Sequence, residues 1–352
     1  MLTTFVLVGL ALPNVCLGGI VPFASPAPLA AATAQETQAL TFRIAEGTRL
    51  EKSFHVRTST LSSDFRVFMG GQPVPSAFLP KLELTNEQSM TVELCDTYGK
   101  TKKGQLLSFV RDYTELAGEG SFSVEVPPEA PEESSWQRES PLAGERVAFQ
   151  WDAKAGAFTR KLVGGGDPPE PLDILQARMD LTEFLPEQDV EVGASWEVDA
   201  ALLAGLLNPG GPLRLDRGEQ STELPFETLS IEGELTVKLE QIAHEDGVRI
   251  AVLTIEGQCE QVAEREGDLT RVPVAEGEAT DTATWNYDIE GSLRWNLDAG
   301  HALSLDLSGP FDHLLRTERD PGQGGADYAS EIESDGDLEV EVRFTSVEDG
   351  RQ

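Results

Sequence analysis

The sequence is poor in positive charge. Its 352 residues include 27 Lys and Arg against 61 Asp and Glu, which gives a formal net charge of −34 at pH 7. Nucleic acids and anionic membrane surfaces are bound by clustered Lys and Arg. An acidic excess of this size, spread along the chain after residue 35, excludes both as partners.

Cysteine and histidine are also scarce, with three Cys and four His in the chain. The histidines, His55, His244, His301 and His313, are isolated, and none lies at the short spacing to another His or Cys that zinc sites use. No transition-metal site is predicted from them, and no cofactor is expected.

Sequence signatures of catalysis are missing as well. Gly99-Lys100-Thr101 lacks the earlier glycine of a phosphate-binding loop, and Ser195 lacks the second flanking glycine of a nucleophile elbow. The many carboxylates form chance pairs that only their spacing in the fold can sort. We nominate no catalytic residue, and a non-enzymatic role is favoured.

Long apolar runs are confined to the N-terminus. Residues 1–35 contain no charged side chain, Phe5 to Leu12 is apolar, and Ala32-Thr33-Ala34 fits the small-x-small cleavage rule. Residues 1–34 are therefore predicted to be a signal peptide, and an uncleaved anchor is the alternative. After cleavage no membrane span is expected. The absence of an Asn-x-Ser/Thr sequon favours a bacterial protein, secreted or periplasmic.

The rest of the chain is dominated by alternation of apolar and polar residues, the period of strands with one buried face. A Pro and Glu-rich stretch, Pro127 to Ser140, is predicted to be a surface loop. After a Gly and Pro-rich break, apolar residues from Leu172 to Phe184 recur at helical spacing, and a second helical piece is predicted at Leu202 to Leu207.

These patterns predict a mainly β (α+β) fold, with two antiparallel β lobes or curved sheets and a short helical segment between them. The predicted boundaries are 35–163 for the N-terminal lobe, 164–232 for the helix-containing connection and 233–352 for the C-terminal lobe. Trp151 to Gly156 and Trp295 to Gly300 share the spacing of Trp and Ala-Gly. Two related lobes or two ordinary hairpins would explain this similarity.

Two sets of side chains are candidates for binding. Four tryptophans in or beside predicted strands are candidates for the lining of an apolar cleft, and the alternative is that they simply belong to the core. Three carboxylates alternate into the last strand, so they would share one face and could offer oxygens to Ca²⁺ or another hard cation, unless that face is merely solvated. The tryptophans are Trp151, Trp196, Trp285 and Trp295, and the carboxylates are Asp337, Glu339 and Glu341.

Cleavage of the signal peptide would leave two cysteines, Cys95 and Cys259. Each falls on a predicted strand, one in each half of the chain. An oxidising compartment allows a long-range disulfide between them, and two buried thiols are the alternative.

Several short motifs carry a resemblance. Leu185-Pro186, Val192-Gly193, Trp196-Glu197-Val198, the Gly233-Glu-Leu start of a strand and the hairpin from Trp295 to Gly309 resemble uncharacterised secreted proteins of planctomycete-type bacteria. They cover about half of the chain. The resemblance implies an exported β-rich protein, and it transfers no reaction and no catalytic residue.

The expected function is that of an exported, non-enzymatic envelope protein that binds an apolar small molecule or a partner protein of the envelope on a curved β-sheet. The alternatives are an extracellular hydrolase that uses carboxylates and a purely structural surface component. A cleft that holds two carboxyl groups about 5 to 10 Å apart would favour the hydrolase.

Overall fold

The structure, a computed structural model, describes residues 37–102, 105–127, 130–168, 171–211, 213, 227–267, 279–319 and 327–347. The predicted signal peptide, residues 1–34, lies outside the described residues. Within them, no helix combines the length and the apolar character that a bilayer span requires.

Fifteen strands account for most of the described chain. They are β1 (Arg49–Met69), β2 (Gln72–Pro73), β3 (Glu83–Tyr98), β4 (Thr101–Lys102), β5 (Gln105–Leu106), β6 (Ser108–Glu125), β7 (Glu132–Glu139), β8 (Arg146–Asp152), β9 (Ala157–Leu162), β10 (Ser195–Asp199), β11 (Glu227–Glu245), β12 (Val248–Gly267), β13 (Ala279–Asn296), β14 (His301–Arg319) and β15 (Tyr328–Ser346).

Thirteen of these strands form one sheet in the order β10-β11-β12-β13-β14-β15-β1-β3-β6-β8-β9, with β2 beside β1 and β7 beside β6. All the pairings are antiparallel, and β4 and β5 form a separate small sheet. The mainly β prediction is confirmed. The two β regions belong to the same sheet, because β1 pairs with β3 on one side and with β15 on the other.

The predicted hairpins at Trp151 and Trp295 are β8–β9 and β13–β14, and their turns are built alike. Gly156 N–H donates to the Asp152 carbonyl at 2.8 Å, and Gly300 N–H donates to the Asn296 carbonyl at 2.7 Å. Both glycines have positive φ, 66° and 75°, which glycine adopts without steric cost. Shared turn chemistry therefore accounts for the repeated Trp-to-Gly spacing.

Alternate side chains of each strand point to two faces of the sheet. We call inner the face that carries the buried residues Leu50, Phe54 and Val56 of β1, and outer the face of their exposed neighbours. Directly opposed residues of neighbouring strands share a face. Phe54 therefore lies on the inner face together with Val92 of β3 and Val342 of β15. The core of the protein lies on the inner face.

A row of glycines crosses the inner face, one on each of five successive strands from β11 to β15. At each of them an added Cβ atom would collide with a main-chain carbonyl of a neighbouring strand, for example with Glu234 O at 2.5 Å from Gly257. Glycine inside a strand marks a bend or a close backbone approach. The glycines are Gly233, Gly257, Gly291, Gly309 and Gly336.

Residues 171–211, the cover segment, pack on the inner face on the Leu50 side of this row, except for β10, which joins the sheet as an edge strand beside β11. They contain single turns of 3-10 helix at Leu172–Ile174 and Thr182–Phe184, strand β10, a third 3-10 turn at Ala200–Leu203 and the helix α1 (Ala204–Leu207). The 3-10 turn at Ala200–Leu203 and the helix α1 confirm the helical piece predicted at Leu202 to Leu207.

The prediction of an amphipathic helix from Leu172 to Phe184 is wrong. Its apolar residues are largely buried, but the carbonyls of residues 175–177 accept hydrogen bonds from Arg160 and Arg111 of the sheet. Leu181 also has a left-handed conformation, with φ at 58°. Tertiary hydrogen bonds have replaced those of a helix.

The predicted loop from Pro127 to Ser140 contains a strand instead. Its residues 132–139 are β7, which pairs with residues 117–124 of β6. The edge of β6 supplies main-chain partners, and an edge strand with little burial needs few apolar side chains. Trp136 is the apolar side chain of β7, and its indole lies against Gly120 of β6.

Candidate functional site

A cluster of charged residues is buried between the sheet and the cover segment. Lys52 of β1 donates from Nζ to Asp96 Oδ2 of β3 at 2.7 Å and to Asp180 Oδ1 of the cover segment at 2.6 Å. Tyr98 of β3 donates its hydroxyl to the same Asp180 oxygen. The side chains of Lys52 and Asp96 are 0% and 1% exposed, so each charge depends on its partners.

Arg111 of β6 completes the cluster. Its Nε and Nη2 donate to the two oxygens of Asp96 at 2.8 and 2.9 Å, a bidentate pair. Its Nη1 donates to the carbonyl of Gln176 at 2.6 Å, and Nη2 donates to that of Ala177 at 3.3 Å. Two cations thus balance two carboxylates, and together they fasten the cover segment to the sheet.

Burial and pairing shift the pKa values of Asp96 and Tyr98 in opposite directions. Burial favours a higher pKa for Asp96, but the charges of Arg111 and Lys52 and their hydrogen bonds hold that pKa below its ordinary value. Burial and the charges of Asp180 and Asp96 raise the pKa of Tyr98 well above its ordinary value. A general base needs a pKa near the working pH. Asp96 is therefore suited to anchoring and unsuited to proton transfer.

An apolar cleft of about 230 Å³ lies beside the cluster, between two parts of the cover segment. Phe54 of β1, two residues after Lys52, contributes from the sheet. The charged residues in the lining, Arg178 and Glu183, are exposed. The apolar lining from the cover segment is Met179, Leu181 and Phe184 on one side and Ala201, Leu202 and Leu206 on the other.

Hydrogen bonds on both sides hold the cleft open. Asp180, between two lining residues, is bound to Lys52 as described above. Trp196 Nε1 of β10 donates to the carbonyl of Phe184 at 3.0 Å. Asp199 Oδ1 accepts from the amide of Ala201 at 2.8 Å and caps the turn that forms the second wall. The cleft is therefore preformed.

A second groove, of about 500 Å³, lies where the outer face of β11–β14 is open to solvent. Its polar lining is acidic and amide-bearing. Among the residues that the structure describes, no three His, Cys, Asp or Glu side chains are placed to hold a metal ion. The lining includes Glu232, Gln258, Glu260, Asn286, Asp288 and Asp312.

The four candidate tryptophans all lie on the inner face, but the structure does not bring them together. Trp151 packs edge-on against Phe158 at 5.3 Å, in β8 near one end of the sheet, whereas Trp196 is in β10 at the other end. Trp285 stacks on His313 at 4.9 Å, and Trp295 is fully buried. Trp196 alone adjoins the cleft, through its hydrogen bond to Phe184.

The three candidate metal ligands do share one face, as predicted. Asp337, Glu339 and Glu341 lie on the outer face of β15, where their neighbours include cationic side chains. Glu339 Oε2 is 3.5 Å from Arg57 Nη1, and Glu341 Oε2 is 3.6 Å from Arg343 Nη2. These contacts are exposed pairs of a solvated strand face.

Cys95 and Cys259 are free and buried. They point to opposite faces of the sheet, and five strand-to-strand steps, about 24 Å at the usual spacing, separate β3 from β12. A disulfide needs Cα atoms within about 7 Å. Cys95 and Cys259 are therefore two separate buried thiols, and the predicted disulfide alternative is wrong. Burial raises the pKa of both thiols, that of Cys259 to about 11.

None of the residues that line the cleft was nominated as a binding residue from the sequence. One signal was available: Lys52 occupies an inward position in the alternation of Leu50, Phe54 and Val56. A lysine there requires a buried acidic partner. No comparable local signal identifies Asp180 among 61 acidic residues.

Comparison with known proteins assigns this chain to no family. No protein-family model matches the sequence, and the search of curated proteins found no match. Among solved structures, OccK7 (OpdD) of Pseudomonas aeruginosa aligns over 85% of this chain and 99% of its own, at 10% identity and a TM-score of 0.25. The InvG secretin domain β-barrel from Salmonella aligns over 86% of this chain and 64% of its own, at 10% identity and a TM-score of 0.18. Scores this low carry no functional argument.

Proposed function

We propose that the chain is an exported, non-enzymatic binding protein of the cell envelope, which holds a small apolar ligand in the cleft of the cover segment. The observation that carries the proposal is a preformed cleft whose wall is mainly apolar, with the charged lining residues Arg178 and Glu183 exposed at its surface. A cavity of about 150 Å³ lined by apolar side chains is enough for one benzene. The 230 Å³ here accommodates one substituted ring or a short hydrocarbon chain.

The other functions expected from the sequence are less well supported. A partner protein would need a broad surface, whereas this site is a small concavity. At this cleft, a hydrolase would need two available carboxyl groups. Asp96 and Asp180, the carboxylates brought together beside the cleft, are both bound to Lys52, and Asp96 is also bound to Arg111.

Blocking the cleft should abolish binding. Ala201 lines the cleft and is exposed, so Ala201→Trp places an indole across it without removing a core side chain. Ala204→Trp is the matched control, because Ala204 is an exposed alanine of the next turn that does not line the cleft. Toluene is the probe, and titration calorimetry measures its affinity.

We expect Ala204→Trp to bind toluene like the unmodified protein and Ala201→Trp to lose at least tenfold in affinity. Equal affinities in all three proteins would place the binding elsewhere. Absence of binding to the unmodified protein would reject the proposal.

Export is tested separately. Expression of the full chain in a bacterial host should give a mature protein outside the cytoplasm that begins near Gln35, since Ala32-Thr33-Ala34 precedes that residue. N-terminal sequencing and cell fractionation check this. A cytoplasmic product that retains Met1 would contradict it.

A further inference from the structure

Two residues of opposite charge belong to the mainly apolar lining of the cleft. They are Arg178 and Glu183, and both are exposed to solvent. In the sequence they flank the buried lining residues Met179 and Leu181, so all four belong to the same wall. A ligand whose apolar part fills the cleft therefore has one cationic and one anionic side chain beside it.

The guanidinium of Arg178 has no partner in the part of the chain that the structure describes. No carboxylate pairs with it there, and no carbonyl accepts from it. Arg111 and Arg160, by contrast, both donate to main-chain carbonyls of the cover segment. A guanidinium binds a carboxylate through two parallel hydrogen bonds. Arg178 is therefore free to turn toward a carboxylate that projects from the cleft.

The carboxylate of Glu183 has one local contact. Its Oε2 accepts a hydrogen bond from the hydroxyl of the neighbouring Thr182 at 3.3 Å. No Lys or Arg among the described residues pairs with it, and Arg178 and Glu183 do not pair with each other although they line the same cleft. Each side chain therefore remains available to a ligand group of the opposite charge.

The charge of the whole chain decides between an anionic ligand and a zwitterionic one. At a net charge of −34, the protein repels a simple anion, and Glu183 adds a local repulsion. A ligand that carries an ammonium group beside its carboxylate has no net charge, and it can pair with both lining residues. An α-amino acid carries these two groups on the carbon that also bears its side chain.

We infer that the ligand is a free amino acid with an apolar side chain, which fills the cleft while the α-carboxylate binds Arg178 and the α-ammonium group binds Glu183. This inference rests on the proposed function, and it identifies the apolar group in the cleft as an amino-acid side chain. The volume of about 230 Å³, which is enough for one substituted ring, admits a side chain as large as that of phenylalanine.

Four probes that share a benzene ring test the inference. Toluene carries no charge, 2-phenylethylamine carries an ammonium group, 3-phenylpropanoate carries a carboxylate, and L-phenylalanine carries both. An exposed charge pair contributes up to about fivefold in affinity. Titration calorimetry on the unmodified protein should therefore show that L-phenylalanine binds most tightly, at roughly four- to 25-fold the affinity of toluene.

Two variants separate the two contacts. Arg178→Met should weaken L-phenylalanine about two- to fivefold without weakening 2-phenylethylamine or toluene. Glu183→Gln should weaken L-phenylalanine by a similar factor without weakening 3-phenylpropanoate or toluene. The matched controls are Arg57→Met and Glu197→Gln, which change the net charge equally at exposed residues outside the lining. Both controls should bind L-phenylalanine like the unmodified protein.

The outcomes distinguish this inference from the proposed function. If L-phenylalanine bound no more tightly than toluene or either singly charged probe, the amino-acid assignment would be overturned and the apolar cleft would stand. The same holds if Arg178→Met and Glu183→Gln weakened L-phenylalanine no more than their controls. Failure of the unmodified protein to bind both toluene and L-phenylalanine would instead reject the proposed function.

Discussion

Replacement of Lys52 by Met should lower the free energy of unfolding by about 3 to 5 kcal/mol, the usual cost of removing one partner from a buried ion pair. The variant keeps the apolar stem of the side chain but leaves Asp180 without its cation. Asp96 keeps only Arg111. Because Asp180 belongs to the cover segment, the same change should also weaken toluene binding.

The matched control is Arg57→Met on the same strand. Arg57 and Glu339 form a pair at 3.5 Å whose side chains are 73% and 59% exposed, and exposed pairs contribute about 0 to 1 kcal/mol. Urea denaturation of both variants measures the difference. If Lys52→Met were no more destabilising than Arg57→Met, the cluster would not be what holds the cover segment.

Replacement of His313 by Phe should remove much of the protein's loss of stability in mild acid. Burial against Trp285 lowers the pKa of His313 from 6.5 to about 4. Between these two pH values the unfolded chain binds a proton that the folded chain does not, so the free energy of unfolding falls as the pH falls. The stabilisation is complete above pH 6.5 and lost as the pH falls through about 4.

At about 1.4 kcal/mol per pH unit, the difference between 6.5 and about 4 corresponds to about 3 to 4 kcal/mol. The ring of Phe can keep the stacking on Trp285, and His313 Nε2 accepts or donates no hydrogen bond among the described residues. Denaturation series across this pH range should show the flatter profile for His313→Phe but not for His244→Phe, whose histidine is exposed. Parallel profiles for the unmodified protein and His313→Phe would refute the assignment.

The strands could be predicted because their signal is local. Alternation marked one buried face, and turns such as Asp152 to Gly156 have their own sequence chemistry. Strand order could not be predicted in this way. The pairing of β1 with β15 joins residues nearly 300 positions apart, and no local pattern encodes it.

The cleft was not predictable for a related reason. Its walls are fixed by contacts between distant residues, such as Lys52 with Asp180 across 128 positions and Arg111 with Gln176 across 65. The helical spacing from Leu172 to Phe184 identified the buried residues correctly. It could not show that Arg111 and Arg160 of the sheet would donate hydrogen bonds to the carbonyls of residues 175–177, which an α-helix would use for its own hydrogen bonds.

The most direct test of the account is to locate a bound ligand by NMR. With methyl-labelled protein and toluene, intermolecular nuclear Overhauser effects are expected to the methyl groups of Met179, Leu202 and Leu206, which line the cleft. They should be absent in Ala201→Trp. Effects confined to methyl groups outside the cleft, or effects that persist unchanged in Ala201→Trp, would contradict the assignment of the cleft as the binding site.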